Sequence, residues 1–406
     1  MLRSPPILAL LTSVVISSTG SLMTALALPW FVLASSGSAS HAAYVIGAEV
    51  LAYGLLGIPS GSVAVWLGAR RTMLTCDFAL AVVVAMIPVL HWTGRLSFSV
   101  LLCLAFLSGA ISTPYLAAQQ VVLPEVLGDD ERVLTQANAA LQTASRLTYL
   151  VGPAVAGLLI SFLGAPRVLV IDAATYLVSF LLLAAFIPPM EAAPAEADLA
   201  GVLAGVRYLW RDRLLRTLTV AQAGSQMAFQ GISLALPMLA FTRYDHNARL
   251  AGLFLASWGL GALVGSVLAY RVVGRFDPLQ MGAAAWIVYA LPLWVLVGRL
   301  PAAGVFVPLV VAGLGNGLRN PPLATVRLLR VPAALRPKTS TASGTLATLG
   351  GAVALGGVGV ALRAVGLAPV FGLIAAISTI SALAFALAVA RERRSARSDA
   401  VGAPTT

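Results

Sequence analysis

Leu26-Ala27-Leu28-Pro29 and Leu234-Ala235-Leu236-Pro237 are the same four residues, set in two separate apolar stretches of a 406-residue chain. Gly57-x-x-x-Gly61-Ser62-Val63 likewise returns as Gly261-x-x-x-Gly265-Ser266-Val267, and Gly164-Ala165-Pro166 has a counterpart in Gly366-Leu367-Ala368-Pro369. Three matches in one order, at a nearly constant offset, predict two homologous halves. Parallel repeats in an apolar chain are a signature of membrane transport proteins with a site between their halves.

Composition points the same way. Apolar residues make up 59% of the chain and charged residues 10%, with mean hydropathy +0.92, whereas soluble domains carry about 25% charge. A membrane-spanning helix needs about 20 apolar residues. Segments of that kind fall near 7–34, 42–66, 72–92, 97–120, 134–163, 166–187, 214–241, 249–273, 278–298, 302–326, 338–363 and 366–390. The expected fold is an all-α membrane protein of twelve transmembrane helices in two pseudo-symmetric six-helix halves. Residues 1–187 form the first half and 214–391 the second. A cytoplasmic linker covers 188–213 and a disordered cytoplasmic tail 392–406. Within the linker, Val202-Leu203-x-x-Val206-x-x-Leu209-Trp210 reads as a short amphipathic helix on the membrane surface.

The net charge of +11 would suggest nucleic acid in a soluble protein, but its placement argues otherwise. Alternate loops hold 18 of the 26 basic residues, among them Arg70, Arg71, Arg207, Arg330 and the tail from Arg391 to Arg397; the opposite loops hold six, and Arg146 and Arg319 fall inside spans. The positive-inside rule then places both termini in the cytoplasm of a bacterial plasma membrane. Partners are expected to be the lipid bilayer and a small molecule, with no nucleic acid, and the chain is expected to be monomeric.

Cys76 and Cys103 lie in different spans, and His41, His91 and His246 are scattered, so neither a structural disulfide nor a metal or other cofactor is expected. No Gly-x-x-x-x-Gly-Lys phosphate loop occurs, so ATP is not the expected energy source. Arg3, the apolar run and Ala25-Leu26-Ala27 imitate a signal peptide. The run is too long for a signal core, however, and cleavage would delete one copy of the repeat; it is expected to stay.

Several motifs concern packing and gating. Pro29, beside Trp30, removes a helix donor. Gly57 and Gly61 permit close helix approach, and the turn Gly68-Ala69-Arg70-Arg71 follows them. Gly152-Pro153-Ala154-Val155-Ala156-Gly157 reads as a pliable, small-faced helix. Together with Leu123-Pro124-Glu125, Asn138, Asp172-Ala173-x-Thr175-Tyr176 and Gly315-Asn316-Gly317, these residues resemble the macrolide-efflux and enterobactin-exporter group of the major facilitator superfamily, over almost the whole chain. The resemblance implies twelve helices, alternating access and proton-driven export of amphipathic molecules. One departure stands out: Val65 occupies the position where the superfamily's loop between helices two and three normally carries Asp.

Ionisable residues inside spans are costly and mark function by default. Glu49, about 10 Å from one membrane face by helix rise, is the proton-coupling candidate. Arg146 lies about 18 Å into its helix and is a candidate for an anionic substrate or a carboxylate partner. Arg319 is expected to snorkel, Asp172 to pack or cap, and Asp77 to start a helix. Uncharged polar stripes outline a substrate cavity: Ser17 and Ser21 with Ser13 and Thr24; Ser112, Tyr115 and Gln119 with Ser108; Gln222, Gln226 and Gln230; Asn316 and Asn320. Helical spacing puts each set on one face, and Trp30 completes the list. Interhelical hydrogen bonding without substrate contact is the alternative for each stripe. The resulting expectation is a proton-coupled exporter of amphipathic small molecules. Its rivals are a small-nutrient importer and a transport-inactive sensor or scaffold. No nucleophile–base pair or metal cluster within the spans suggests an enzyme.

Overall fold

A computed structural model describes residues 5–127, 131–188, 199–272, 275–332 and 335–401; the side chains of 57–65 and 131–146, among others, lie outside the described set. The first six helices are α1 (Pro5–Ser36), α2 (Ala39–Leu67), α3 (Ala69–Trp92), α4 (Phe98–Leu127), α5 (Glu131–Leu163) and α6 (Ala165–Phe186). A short helix follows, α7 (Leu199–Arg211). The chain then runs through α8 (Arg213–Arg243), α9 (Ala248–Val272), α10 (Pro278–Ala290), α11 (Ala302–Arg330), α12 (Arg336–Val365) and α13 (Leu367–Val401). Long apolar runs choose helix because no water is available in lipid to satisfy the backbone. Ten of the described helices are long and apolar enough to cross a membrane. Of the two expected spans outside this set, α5 contributes the apolar run Leu147–Leu163 among its described side chains, and α8 is diluted by its three glutamines. Pro292 lacks the donor that would continue α10, and the chain tightens into a 3-10 turn over Leu291–Val297.

The repeat is visible in the backbone. Gly164 before α6 and Gly366 before α13 occupy matching turns, with φ of +82° and +81°, a conformation that disfavours any side chain. Both Leu-Ala-Leu-Pro copies lie inside helices with their leucines and alanines buried.

The chain forms two compact units. The first takes Met1–Ala197 with Ser233–Ala256 and Leu355–Ala364. Here α1 packs on α5 and α6, α2 on α4, and α3 on α4 and α6. Leu10, Met73, Val122 and Leu183 form part of one apolar cluster. Arg70 donates to the carbonyls of Ile187 (2.6 Å) and Ala184 (3.1 Å), capping the end of α6, where carbonyls are otherwise unpaired. Arg71 is exposed.

The second unit takes Asp198–Ile232, Ser257–Ala354 and Val365–Thr406. Its α9–α11 contact is a glycine seam: Cβ atoms on Gly261, Gly265, Gly313 and Gly317 would fall 2.0–2.2 Å from carbonyl oxygens of the facing helix. The linker helix packs against its own unit. Leu209 of α7 is buried with Leu215, Val331 and Ala342, a Cβ on Gly205 would stand 2.4 Å from the Lys338 carbonyl oxygen, and the Tyr208 hydroxyl donates to the Arg330 carbonyl at 2.9 Å. Protein thus covers Val206 and Leu209 of that apolar stripe, while Trp210 stays exposed.

Candidate functional site

In the first unit a polar face of α6 meets the polar stripe of α1. Asp172, Thr175, Tyr176 and Ser179 recur at helical spacing, as do Ser17, Ser21 and Thr24, so each set lies on one side of its helix. Thr24 donates to the Asp172 carboxylate at 2.5 Å, Thr175 adds a bond at 3.1 Å, and the Ser21 and Tyr176 hydroxyls are 2.8 Å apart. A Cβ on Gly20 would strike both Thr175 and the Asp172 carboxylate at about 2 Å, so glycine makes room for this junction. Asp172 is therefore a fully buried interhelical acid rather than a helix cap.

Glu49 of α2 lies within electrostatic range of Asp172 and is joined to the same neighbourhood through Tyr53, Tyr176 and Ser112. A Cβ on Gly109 would fall 2.2 Å from the Glu49 carbonyl oxygen, so α2 and α4 are in backbone contact at this level. Among the described residues no basic side chain pairs with Glu49 or Asp172. The side chain of Arg146 lies outside the described residues, as do those of Gly57 and Gly61 and the Val65 position.

A second acid meets α6 from α3. Asp77 is fully buried, two turns inside α3 and not at its start, and accepts from Ser179 at 2.6 Å. Its other oxygen and the Tyr115 hydroxyl have no hydrogen-bond partner of good geometry, although Tyr115 is within electrostatic reach of Asp77, Ser179 and Ser17. Of the other candidates on these helices, Ser112 bonds the Ser108 carbonyl at 2.8 Å, Gln119 is half-buried, and Trp30 packs edge-on to Phe241 at 5.4 Å. Gly152, Pro153 and Gly157 are buried along α5; Gly152 faces Leu22 of α1, while Pro153 and Gly157 face α9.

In the second unit the centre is Arg319, which does not snorkel. It is 7% exposed. Its guanidinium donates to Ser225 at 2.9 Å and Asn316 at 2.8 Å, and lies 4.6 Å from the Trp286 ring centroid and 4.8 Å from that of Tyr289. Ser225 also accepts from the Trp286 indole N–H at 2.8 Å. Gln222 bonds Arg327. Gln226 and Gln230, both half-buried, face Gly351 of α12, and Asn320 is exposed. Sequence reading missed Ser225, Trp286 and Tyr289 because they come from two helices and carry no spacing signal. The α6 face, by contrast, was available as a period-3.6 pattern.

Helices of membrane length, repeated within one chain and holding buried polar clusters between them, define a transport protein rather than an enzyme. The chain belongs to the Major Facilitator Superfamily, whose family model matches residues 10–355. Among its relatives, the multidrug efflux pump Tap of Mycolicibacterium fortuitum is 28% identical over 366 residues, covering 85% of this chain and 86% of that one. The pump of the same name from Mycobacterium tuberculosis is 27% identical over 361 residues, covering 85% and 84%. The nucleoside transporter NupG has a similar fold, with TM-score 0.73 at 14% identity over 94% of this chain and 98% of that one. A bacterial homologue of the iron transporter ferroportin, in an inward-facing state, gives TM-score 0.74 at 15% identity over 94% and 98%.

Proposed function

We propose that this transporter is a proton-coupled exporter of amphipathic small molecules working by alternating access in a bacterial plasma membrane, with both termini in the cytoplasm. The observation that carries the coupling is the Glu49–Asp172 pair. Two carboxylates that feel each other's charge, without a described cation between them, are a natural seat for an exchangeable proton. Asp172 is tied to α1 through Thr24, and Glu49 sits where α2 touches α4. A change of proton occupancy there bears directly on the packing of four helices, α1, α2, α4 and α6. Export is supported by similarity to the Tap pumps, and orientation by the distribution of arginine. The polar stripes on α4, α8 and α11 are the proposed substrate-facing surfaces.

Inverted membrane vesicles energised by a respiratory pH gradient test this reading. A panel of macrolides, other amphipathic drugs and siderophores is added while a dye reports the gradient. Collapse on addition of one compound, absent without the protein, is the expected result. Transport of a substrate with no effect of, or on, the gradient would overturn proton coupling.

A further inference from the structure

Two guanidiniums on α11 have no counter-charge among the described residues: Arg319, which is buried, and Arg327, which is half-buried. All the close partners of Arg319 are neutral: Ser225, Asn316 and the rings of Trp286 and Tyr289. Arg327, about 12 Å further along the same helix by its rise, donates from one terminal nitrogen to Gln222, and its Nε is buried with no acceptor. Among the described residues neither forms an ion pair, whereas Arg330, less than one turn beyond, has two carboxylates, Asp212 and Glu392. Among the described residues, the arginine at the helix end is thus ion-paired and the two inner ones are not.

A guanidinium cannot escape burial by losing its proton, and a buried charge without a counter-ion is strongly unfavourable. Neutral hydrogen bonds and aromatic faces ease this for Arg319 but leave the charge uncompensated, and at Arg327 a covered donor also goes unused. Of the five N–H donors on each guanidinium, two on Arg319 and one on Arg327 are taken up by described residues. Both draw a neutral partner from one stretch of α8: Ser225 and Gln222 are three residues, or one turn, apart. Donors of fixed geometry that are short of acceptors and short of negative charge match an oxyanion.

We infer that the α8–α11 seam is an anion site, at which Arg319 and Arg327 take the carboxylate, sulfonate or phosphate of an amphipathic substrate. The inference rests on the transporter reading and narrows its substrate class from amphipathic small molecules in general to organic anions. It belongs to this chain's own residues and needs nothing from the proton pair in the other unit.

The test uses the full chain in nanodiscs of uncharged lipid, which removes anionic headgroups as competitors, and two dyes of one xanthene ring system and opposite charge, fluorescein and rhodamine 6G. Fluorescence anisotropy is expected to show the wild type binding fluorescein, with Arg319→Gln and Arg327→Leu each weakening it at least tenfold and Arg319→Lys keeping part of the affinity. Rhodamine 6G binding is not expected to weaken in the variants. Elution as a single peak in every variant controls for folding, and Arg327→Leu carries the test if Arg319→Gln does not fold. Absence of fluorescein binding to folded wild type, or equal binding by the variants, overturns the inference. Adding anionic phospholipid to the discs and losing fluorescein binding by competition would reassign the site to a lipid headgroup and likewise overturn it. Proton-driven movement of rhodamine 6G by a protein that ignores fluorescein would leave the exporter reading standing while this inference falls. Arginine-dependent fluorescein binding without any proton-driven flux would do the reverse.

Discussion

Gly157 of α5 and Gly252 of α9 meet backbone to backbone. A Cβ on either would stand 2.9 Å from the other's Cα, and a Cβ on Gly157 would stand 2.5 Å from the Ala248 carbonyl oxygen. The obstacle is main chain, which cannot swing aside as a side chain can. Nearby, Arg249 bonds Ser161 at 2.9 Å and stacks over the Phe162 ring at 4.5 Å. Gly157→Val and Gly252→Val are each expected to lower transport at least tenfold at unchanged membrane abundance, because α5 and α9 can no longer approach backbone to backbone. Vesicle transport normalised to protein amount checks this, and wild-type rates in either variant would show that the contact is dispensable.

The carboxylate pair predicts a separation of coupling from movement. Glu49→Gln and Asp172→Asn are expected to abolish gradient-driven transport while leaving substrate exchange across ungraded vesicles within a few-fold of wild type. Thr24→Val removes the bond at 2.5 Å to Asp172, and a hydrogen bond to a charged group contributes about 1.5–3 kcal/mol. A partial defect, on the order of tenfold in the gradient-driven rate, is the expected outcome. Full coupling in Glu49→Gln would remove Glu49 from the mechanism.

At the junction of α7, α8 and α13, Asp212 has two duties. One oxygen caps α8 by accepting from the N–H groups of Leu214 and Leu215 at 2.8 and 3.0 Å, and the other meets Arg330 at 3.3 Å. Glu392 holds the same guanidinium. Partial burial opposes the Arg330 charge, but the two carboxylates outweigh it and hold its pKa above the usual value. Loss of a cap costs about 1 kcal/mol, and a half-exposed ion pair contributes about 0–1 kcal/mol. Asp212→Ala is therefore expected to destabilise by about 1–2 kcal/mol and Glu392→Gln by less. Thermal unfolding at low and high salt separates the two, because only the ion-pair part is screened.

Docking of the linker helix is equally open to test. Gly205→Leu should lift α7 from Lys338 and speed amide exchange along 199–211 well beyond the change seen in Tyr208→Phe, which removes one hydrogen bond. Exchange in Gly205→Leu no faster than wild type would mean that α7 does not depend on that close approach.

The fold was legible because its signals are local or repeated. Apolar run length places the helices, and the matched glycines at 164 and 366 announce two equivalent turns before the angles are known. Charged and polar residues inside the spans were harder, since their roles depend on which helix lies opposite. Asp77 near a basic turn looks like a cap until α3 is seen to begin at Ala69. Arg319 looks like a snorkelling residue until Ser225, Trp286 and Tyr289 arrive from other helices. The amphipathic stretch at 202–210 does carry an apolar stripe, but a stripe does not say whether lipid or protein will cover it.

The glycine seam between α9 and α11 has a consequence for how this protein changes over evolutionary time. Four positions on two helices are held by volume alone, because main chain fills the place where any side chain would begin. Such positions record nothing about the cargo. Arg319 lies two residues beyond Gly317, so its register is set by a scaffold indifferent to what it meets. Residues such as Asn320 and Gln226 lie outside that seam, so exchange there leaves the glycine frame in place. With the polar stripes facing the substrate as proposed, a lineage would retune what it carries by drift at a few polar positions while the glycines stay fixed.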